Sequence, residues 1–259
     1  MPDHLGISTT EARAAIITGN PERVPLIASS LQDSRFLTEQ RGFVCYEGLW
    51  ESNPLLVVST GIGAPSTAIV VEELIELGVQ AIIRIGTCGA LQSFIQPGDI
   101  IISTGCVRDE GTTAQYIDPI FPAVPDHVTL SELLRAASQQ GHTYHVGITH
   151  SKDSYYMERR HKQVDPEGVH RRWVRWKSAG VLVTEMEASA LFVLGSLRAI
   201  RTGAVLISVG RDPIVSDQAL QAAAVITLQS LSQLLTQTPL ATLPAQKSIV
   251  RDDEPRSFL

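Results

Sequence analysis

Short apolar runs, separated by breaks that carry glycine, proline or asparagine, form the first pattern along this chain. Ala14-Ala15-Ile16-Ile17-Thr18 is apolar at nearly every position and stops at Gly19-Asn20-Pro21, which predicts a short buried strand and a turn. A helix is expected over residues 22–30. Residues 43–50 and 55–59 are rich in β-formers and predict two hairpin strands, with Ser52-Asn53-Pro54 as the turn. Over residues 66–77 the apolar positions Ile69, Val70, Leu74 and Leu77 fall at helical spacing; Ser66 is the expected N-cap, and Gly78 closes the helix. Further strands are expected at 81–85, 99–104, 145–149 and 203–209, and further helices at 129–140, 189–197 and 219–235.

Strands that alternate with helices and are apolar throughout imply an α/β layered fold, its sheet covered on both faces. The pattern fades near residue 238. Residues 1–237 are read as one domain and 238–259, with three prolines and several charges, as a loosely held tail.

Composition narrows the function classes without choosing one. No apolar run approaches the ~20 residues of a membrane helix. The opening Met1-Pro2-Asp3-His4-Leu5 has no basic or apolar region, so no secretory signal is expected. Cys45, Cys88 and Cys106 are odd in number and scattered, which predicts reduced thiols and a cytoplasmic location. A net charge of −6 argues against a nucleic-acid partner, despite the basic stretches 159–162 and 171–175. No His, Cys or carboxylate cluster has metal-ligand spacing, so no metal site is expected.

Three segments carry chemistry. Ser59-Thr60-Gly61-Ile62-Gly63-Ala64-Pro65-Ser66 runs from a strand into a helix, and its glycines let backbone approach a ligand at a helix N-terminus. The same segment reads as a plain turn, or as a near match to a dinucleotide loop, although the next strand offers Arg84 where that loop expects an acid. Arg84-Ile85-Gly86-Thr87-Cys88-Gly89 puts a guanidinium inside an apolar strand, a costly placement unless an anion or an internal salt bridge pairs it. Gly19-Asn20-Pro21-Glu22-Arg23 repeats the theme of glycine turn then arginine, so two strand ends would converge on one phosphate. Arg23 and Arg84 aimed apart, or each neutralised by an internal acid, would exclude that reading.

Taken together, Gly19-x-Pro21-x-Arg23, Ser59-Thr60-Gly61-x-Gly63-x-Pro65-Ser66, Arg84-x-Gly86-Thr87-Cys88-Gly89 and Glu185-Met186-Glu187 resemble, in order and spacing, the nucleoside phosphorylases, whose members include uridine phosphorylase and the hexameric purine nucleoside phosphorylases. The likeness spans residues 4–235. It implies a single-domain three-layer phosphorylase fold with a central mixed sheet. It also implies an enzyme that uses inorganic phosphate as co-substrate, with no cofactor, to cut the bond between nucleobase and ribose. By the same resemblance Gly19, Arg23, Arg84 and Thr87 hold phosphate, and Arg41 is lent by a neighbouring protomer. His4 likewise reaches across to the ribose 5′-hydroxyl. Those crossings imply a homodimer as the smallest working unit, with a homohexamer as the usual assembly. Glu187 grips the ribose hydroxyls with Glu185 beside it, and Met186 packs on the sugar; an acid before an apolar helix also reads as dipole stabilisation.

The base is decided by fewer residues. The long segment from Lys152-Asp153-Ser154-Tyr155-Tyr156 to Trp173-Val174-Arg175-Trp176-Lys177 resembles the specificity insert of uridine phosphorylases. Tyr155 would stack on uracil beside Cys88 and Gly89, and Arg211 would stabilise the departing base. Gln163 and Arg159 stand near, but out of register with, the family's edge-reading pair, and their stretch also reads as a solvated loop. A purine reading has Asp212 as proton donor and Cys88 as the residue type common in purine enzymes. Uridine is favoured. A non-catalytic nucleoside sensor on the same fold is the alternative from another class.

Overall fold

A computed structural model describes residues 2–158, 164–210 and 214–236. The described elements run β1 (Ala14–Thr18), α1 (Arg23–Ala28), β2 (Gln32–Gln40), β3 (Phe43–Trp50), β4 (Asn53–Ser59), α2 (Ala64–Glu76), β5 (Ala81–Ala90), β6 (Ile100–Asp109), α3 (His127–Gln139), β7 (Tyr144–Lys152), α4 (Pro166–Ser178), β8 (Val183–Glu185), α5 (Ala188–Arg198), β9 (Arg201–Val209) and α6 (Asp217–Thr236). The nine strands form one mixed sheet in the order β2-β3-β4-β1-β5-β8-β7-β6-β9, and β9 returns to pair with β5. Five strands therefore close into a ring, from which β1, β4, β3 and β2 extend as an open wing.

The apolar strands are explained by burial on both faces. Along β1 and β5, Ala15, Ile17 and Ile82 belong to one core with α2 and α5. Ile16, Ile83 and Ile85 belong to a second core with α1, α3 and α6. Successive side chains point to opposite faces of a strand, so a strand between two helix layers needs an apolar residue at every position. The three-layer α/β expectation is met.

Three expected details differ. The hairpin turn is Glu51-Ser52, both at positive φ (48° and 67°), while Asn53 and Pro54 already pair within β4. Pro54 is tolerated because β1 first pairs at Leu55, beyond it. Ser66 does not cap α2: the N-cap is Gly63, and the Ser66 hydroxyl donates to the Thr60 carbonyl. Strands β2 and β8 had no apolar periodicity to announce them, and helix α4 was not expected although Val169, Trp173 and Trp176 stand at helical spacing. β2 is mostly exposed and is held by pairing to β3; α4 buries no residue and starts on a cap in which Asp165 accepts from Gly168 N–H. Gly78 ends α2 as expected, at φ 91°.

Helix α5 lies close on β9 because position 195 has no side chain. A Cβ on Gly195 would meet Thr202 Cγ2 and Oγ1 at 2.5 and 2.6 Å, and a β-branched residue inside a strand has little room to yield. Gly195→Ala is expected to destabilise the fold by about 1–3 kcal/mol, read as a lower urea midpoint with an unchanged slope.

Candidate active site

β5 positions the site through its pairing. One edge is covered along its length by β9, from Ala81 to Gly89. The other edge carries β1 up to Arg84 and β8 from Gly89 onward. Between them, residues 85–88 have no strand on that edge, and a cleft of about 740 Å³ opens there. Divergence of neighbouring strands at their carboxyl ends is where open α/β sheets bind ligands. A second hollow of about 820 Å³ lies between the N-terminal segment and the β2–β3 hairpin. Its acids Glu11, Asp33 and Glu47 outnumber Arg35, which Glu47 pairs at 2.7 Å, so it does not suit an anion.

Arg84 is the centre of the cleft. Its side chain is 3% exposed; Nη2 donates to Glu187 Oε2 at 2.5 Å and Nε to Glu185 Oε2 at 3.3 Å. Burial would lower the guanidinium pKa, but the two carboxylates outweigh it and hold the group charged, with a net shift upward. Among the described residues Nη1 has no hydrogen-bond partner, although it is buried. The guanidinium folds back over Gly86, where a Cβ would lie 2.5 Å from Nη2 and 2.6 Å from Cζ. That contact is the physical reason for glycine two residues after the arginine.

The two glutamates are themselves fixed. Glu185 Oε2 accepts from the N–H groups of Glu187 and Ala188, at 2.8 and 2.9 Å, and its other oxygen accepts from the Ser151 hydroxyl. Glu185, not Glu187, therefore accepts the first amides of α5, of which Glu187 is the N-cap residue. Glu187 Oε1 accepts from Gly63 N–H at 2.6 Å, 124 positions earlier in the chain. The glycine segment presents that amide to a carboxylate, not to the phosphate of a dinucleotide. Burial raises the Glu187 pKa against the pull of Arg84, and the neighbouring Glu185 charge adds to the rise.

Arg23 and Arg84 face a common space, so the geometry that would have excluded phosphate is only half met. Arg84 is engaged by internal acids through two of its nitrogens, whereas Arg23 forms no ion pair among the described residues and lines the same cleft. Burial lowers the Arg23 pKa, and repulsion from Arg84 lowers it further. Gly19 and Thr87 border the same space. Arg41, at φ 53° in the β2–β3 turn, borders its own chain's cleft, where the expectation had it lent by a neighbour. Arg23, Arg41, Arg84 and Lys152 against Glu185 and Glu187 leave an excess of two positive charges in a cleft of a chain with net charge −6. That balance suits a dianion.

Beyond Glu187 the cleft is lined by Met186, Cys88, Gly89, Thr184 and Tyr155. Burial keeps Cys88 a neutral thiol, its pKa well above the usual value. Lys152 was not singled out as a site residue. It ends β7, is 8% exposed, and lies 5.3 Å from the centre of the Trp173 ring. Burial pulls its pKa down to about 8, against the attraction of Glu185 and Glu187. No apolar run pointed to it, because it follows the polar Thr149-His150-Ser151 at the end of β7. His150, two residues earlier, joins Thr184 Oγ1 at 3.1 Å and Asp109 Oδ2 at 3.0 Å.

His4 does not border this cleft. Its Nδ1 lies 2.6 Å from Glu73 Oε1 on α2, and Glu73 also accepts from Leu5 N–H at 2.8 Å. Burial pushes the Glu73 carboxyl up, but those bonds outweigh it and the net shift is downward. Arg159, Gln163, Arg211, Asp212 and the tail 238–259 lie outside the described residues.

The family model described as phosphorylase superfamily matches residues 13–237. A uridine phosphorylase of Treponema pallidum is 39% identical over 211 residues, 81% of this chain and 82% of the relative. A guanosine phosphorylase of Halorubrum lacusprofundi is 39% identical over 191 residues, 74% of this chain and 75% of the relative. A uridine phosphorylase of Escherichia coli is 36% identical over 209 residues, 78% of this chain and 83% of the relative. No described helix is long and apolar enough to cross a membrane. By the extent of the family match and the likeness of these relatives, the chain belongs to the phosphorylase superfamily.

Proposed function

We propose that this protein is a nucleoside phosphorylase that converts uridine and inorganic phosphate to uracil and ribose 1-phosphate. The observation that carries the reading is Nη1 of Arg84, buried and without a partner among the described residues, in the cleft that Arg23 shares. A guanidinium nitrogen in that state favours an incoming anion. Phosphate is held by Gly19, Arg23, Arg84 and Thr87, with Arg41 at the rim. Its oxygen attacks the anomeric carbon, the carbon–nitrogen bond breaks, and the electron pair leaves with the base. Positive charge gathers on the sugar ring as that bond opens. Glu187, fixed between Gly63 N–H and Arg84, receives the ribose hydroxyls and stabilises that charge with little reorganisation; Glu185 and Met186 complete the ribose floor. Tyr155 stacks on the base beside Cys88 and Gly89, Arg159 and Gln163 read its edge, and Arg211 stabilises the negative charge on the departing base. No cofactor or metal takes part.

The working unit proposed is a homodimer, assembled further as a hexamer. His4 lies away from its own chain's cleft, which supports a role for it in a neighbour's. A cytoplasmic location belongs to the same reading and is supported by three free cysteines. Purine nucleosides, with Asp212 as the proton donor, are the second reading, favoured by the guanosine phosphorylase relative.

Incubation with uridine or inosine, with and without phosphate, tests the reaction directly. Free uracil and ribose 1-phosphate are expected only when phosphate is present; base release indifferent to phosphate would overturn phosphorolysis. Glu187→Gln is expected to lower kcat roughly 100-fold or more while the circular dichroism spectrum is unchanged. Gly86→Ala pushes the guanidinium of Arg84 from its seat, and the KM for phosphate is expected to rise about 10- to 100-fold.

A further inference from the structure

His150 is a buried titratable side chain that the phosphate, ribose and base contacts leave unused. It is 1% exposed, and both of its ring nitrogens are engaged. Nε2 lies 3.0 Å from Asp109 Oδ2 at the end of β6, and Nδ1 lies 3.1 Å from Thr184 Oγ1 on β8. β7 stands between those strands, so one line of hydrogen bonds crosses three neighbours of the sheet. Its two ends differ. The Asp109 side chain is 29% exposed at the surface. Thr184 borders the cleft with Gly89 and Tyr155, and Gly89, its partner on β5, has no side chain to cover it. Trp173 and Trp176 close over the ring, at 5.2 and 5.9 Å, so the line itself is the route for a proton.

We propose that Thr184, His150 and Asp109 form a relay that hands the departing base its proton, with the Thr184 hydroxyl as the group that touches the base. The inference rests on the phosphorolysis reading, which supplies a base that leaves with an electron pair. An ionised carboxylate accepts and cannot donate, so Asp109 fixes Nε2 as a nitrogen that carries hydrogen. Only Nδ1 then changes state. Protonated, it donates to the Thr184 oxygen and leaves the hydroxyl hydrogen to turn to the base; unprotonated, it accepts from that hydroxyl. As the carbon–nitrogen bond breaks, the base keeps the electron pair and takes the Thr184 proton. The Thr184 oxygen takes the proton from Nδ1, and the ring is left neutral. Monohydrogen phosphate gives up its own proton in becoming ribose 1-phosphate, so the whole reaction consumes none. Solvent entering the emptied cleft returns the proton to Nδ1 through the same hydroxyl. A positioned donor of this kind accelerates bond cleavage because the base no longer departs as an anion.

The charged groups around the ring are Asp109 on β6, Lys152 on β7, Glu185 on β8 and Arg172 on α4. Arg172 lies 3.4 Å from Asp109 Oδ2, the oxygen that also accepts from the ring. Glu185 is engaged by Arg84 and by the first amides of α5. Lys152 lies 5.3 Å from the centre of the Trp173 ring that also covers His150. The hydrogen bond from His150 holds the Asp109 carboxyl below its usual range, against the opposing effect of burial, and the Arg172 charge adds to the fall. Asp109 therefore stays ionised and acts through the ring, as a positioning residue that sets which nitrogen faces Thr184.

The test uses leaving groups that differ in their need for a proton. kcat and the KM for phosphate are measured on uridine against 5-fluorouridine, whose base is more acidic. Inosine is paired in the same way with 7-methylinosine, whose base departs neutral. The intact protein is compared with Thr184→Val, Thr184→Ser, His150→Gln and Asp109→Asn, each checked for thermal unfolding. Thr184→Val and His150→Gln should lower kcat roughly 100-fold on the ordinary nucleoside and no more than about threefold on its activated partner, with the KM for phosphate unchanged. Asp109→Asn should show the same dependence on the leaving group. Thr184→Ser, which restores the hydroxyl, should recover most of the loss seen in Thr184→Val. Equal losses on both members of a pair, or native kcat in folded Thr184→Val, would overturn the relay and leave the phosphorylase reading standing. Absence of phosphate-dependent cleavage of every nucleoside by the intact protein would overturn that reading and the relay with it.

Discussion

The structure turns on one charge, the guanidinium of Arg84, placed in a strand that is otherwise apolar and closed to solvent. A buried arginine must be paired, and each partner here reaches a different part of the chain. Glu185 ends β8 and satisfies the first amides of α5; Glu187 starts α5 and grips the Gly63 amide at the head of α2. One ionic cluster thereby holds β5, β8, α5 and the glycine segment in register. Buried ion pairs often contribute little net stability against an apolar replacement, because desolvation offsets the attraction. What this cluster supplies is geometry: two carboxylates and a guanidinium held in fixed positions around a cleft.

The cleft exists because the edge of β5 changes neighbours. β1 leaves it at Arg84 and β8 joins it at Gly89, so backbone and small side chains between them are left facing open space. Closure of β5, β8, β7, β6 and β9 into a ring frames that gap. Cations outnumber carboxylates in the gap while acids prevail in the chain as a whole, so the local field favours an anion where the average field would repel it. The hollow near the β2–β3 hairpin has the opposite balance, with acids in excess.

The far end of the cleft is built differently. Helix α4 contributes no buried residue, yet Trp173 covers His150 and Lys152 at the end of β7. With Trp176 5.9 Å from His150 as well, a charged outer helix covers a strand end through two aromatic side chains, and the lysine beneath it is desolvated.

Much of this was legible in the residues. Short apolar runs within β1, β5 and β9 predicted strands between two helix layers, and four linked motifs carried the phosphorylase resemblance. Arg84 inside Ala-Ile-Ile-Arg-Ile announced a paired charge, because an unpaired one there would be too costly to fold. What stayed hidden was whatever long-range pairing alone decides. β2 and β8 lack an apolar period because their neighbours, not their own side chains, hold them in the sheet. That Glu185 caps α5 while Glu187 reaches Gly63, and that Lys152 joins the cleft, follow from contacts between residues up to 124 positions apart. Local sequence determines which segments bury themselves and which charges must find partners. Which partners they find depends on how the strands are ordered in space, and only the closed sheet decides that.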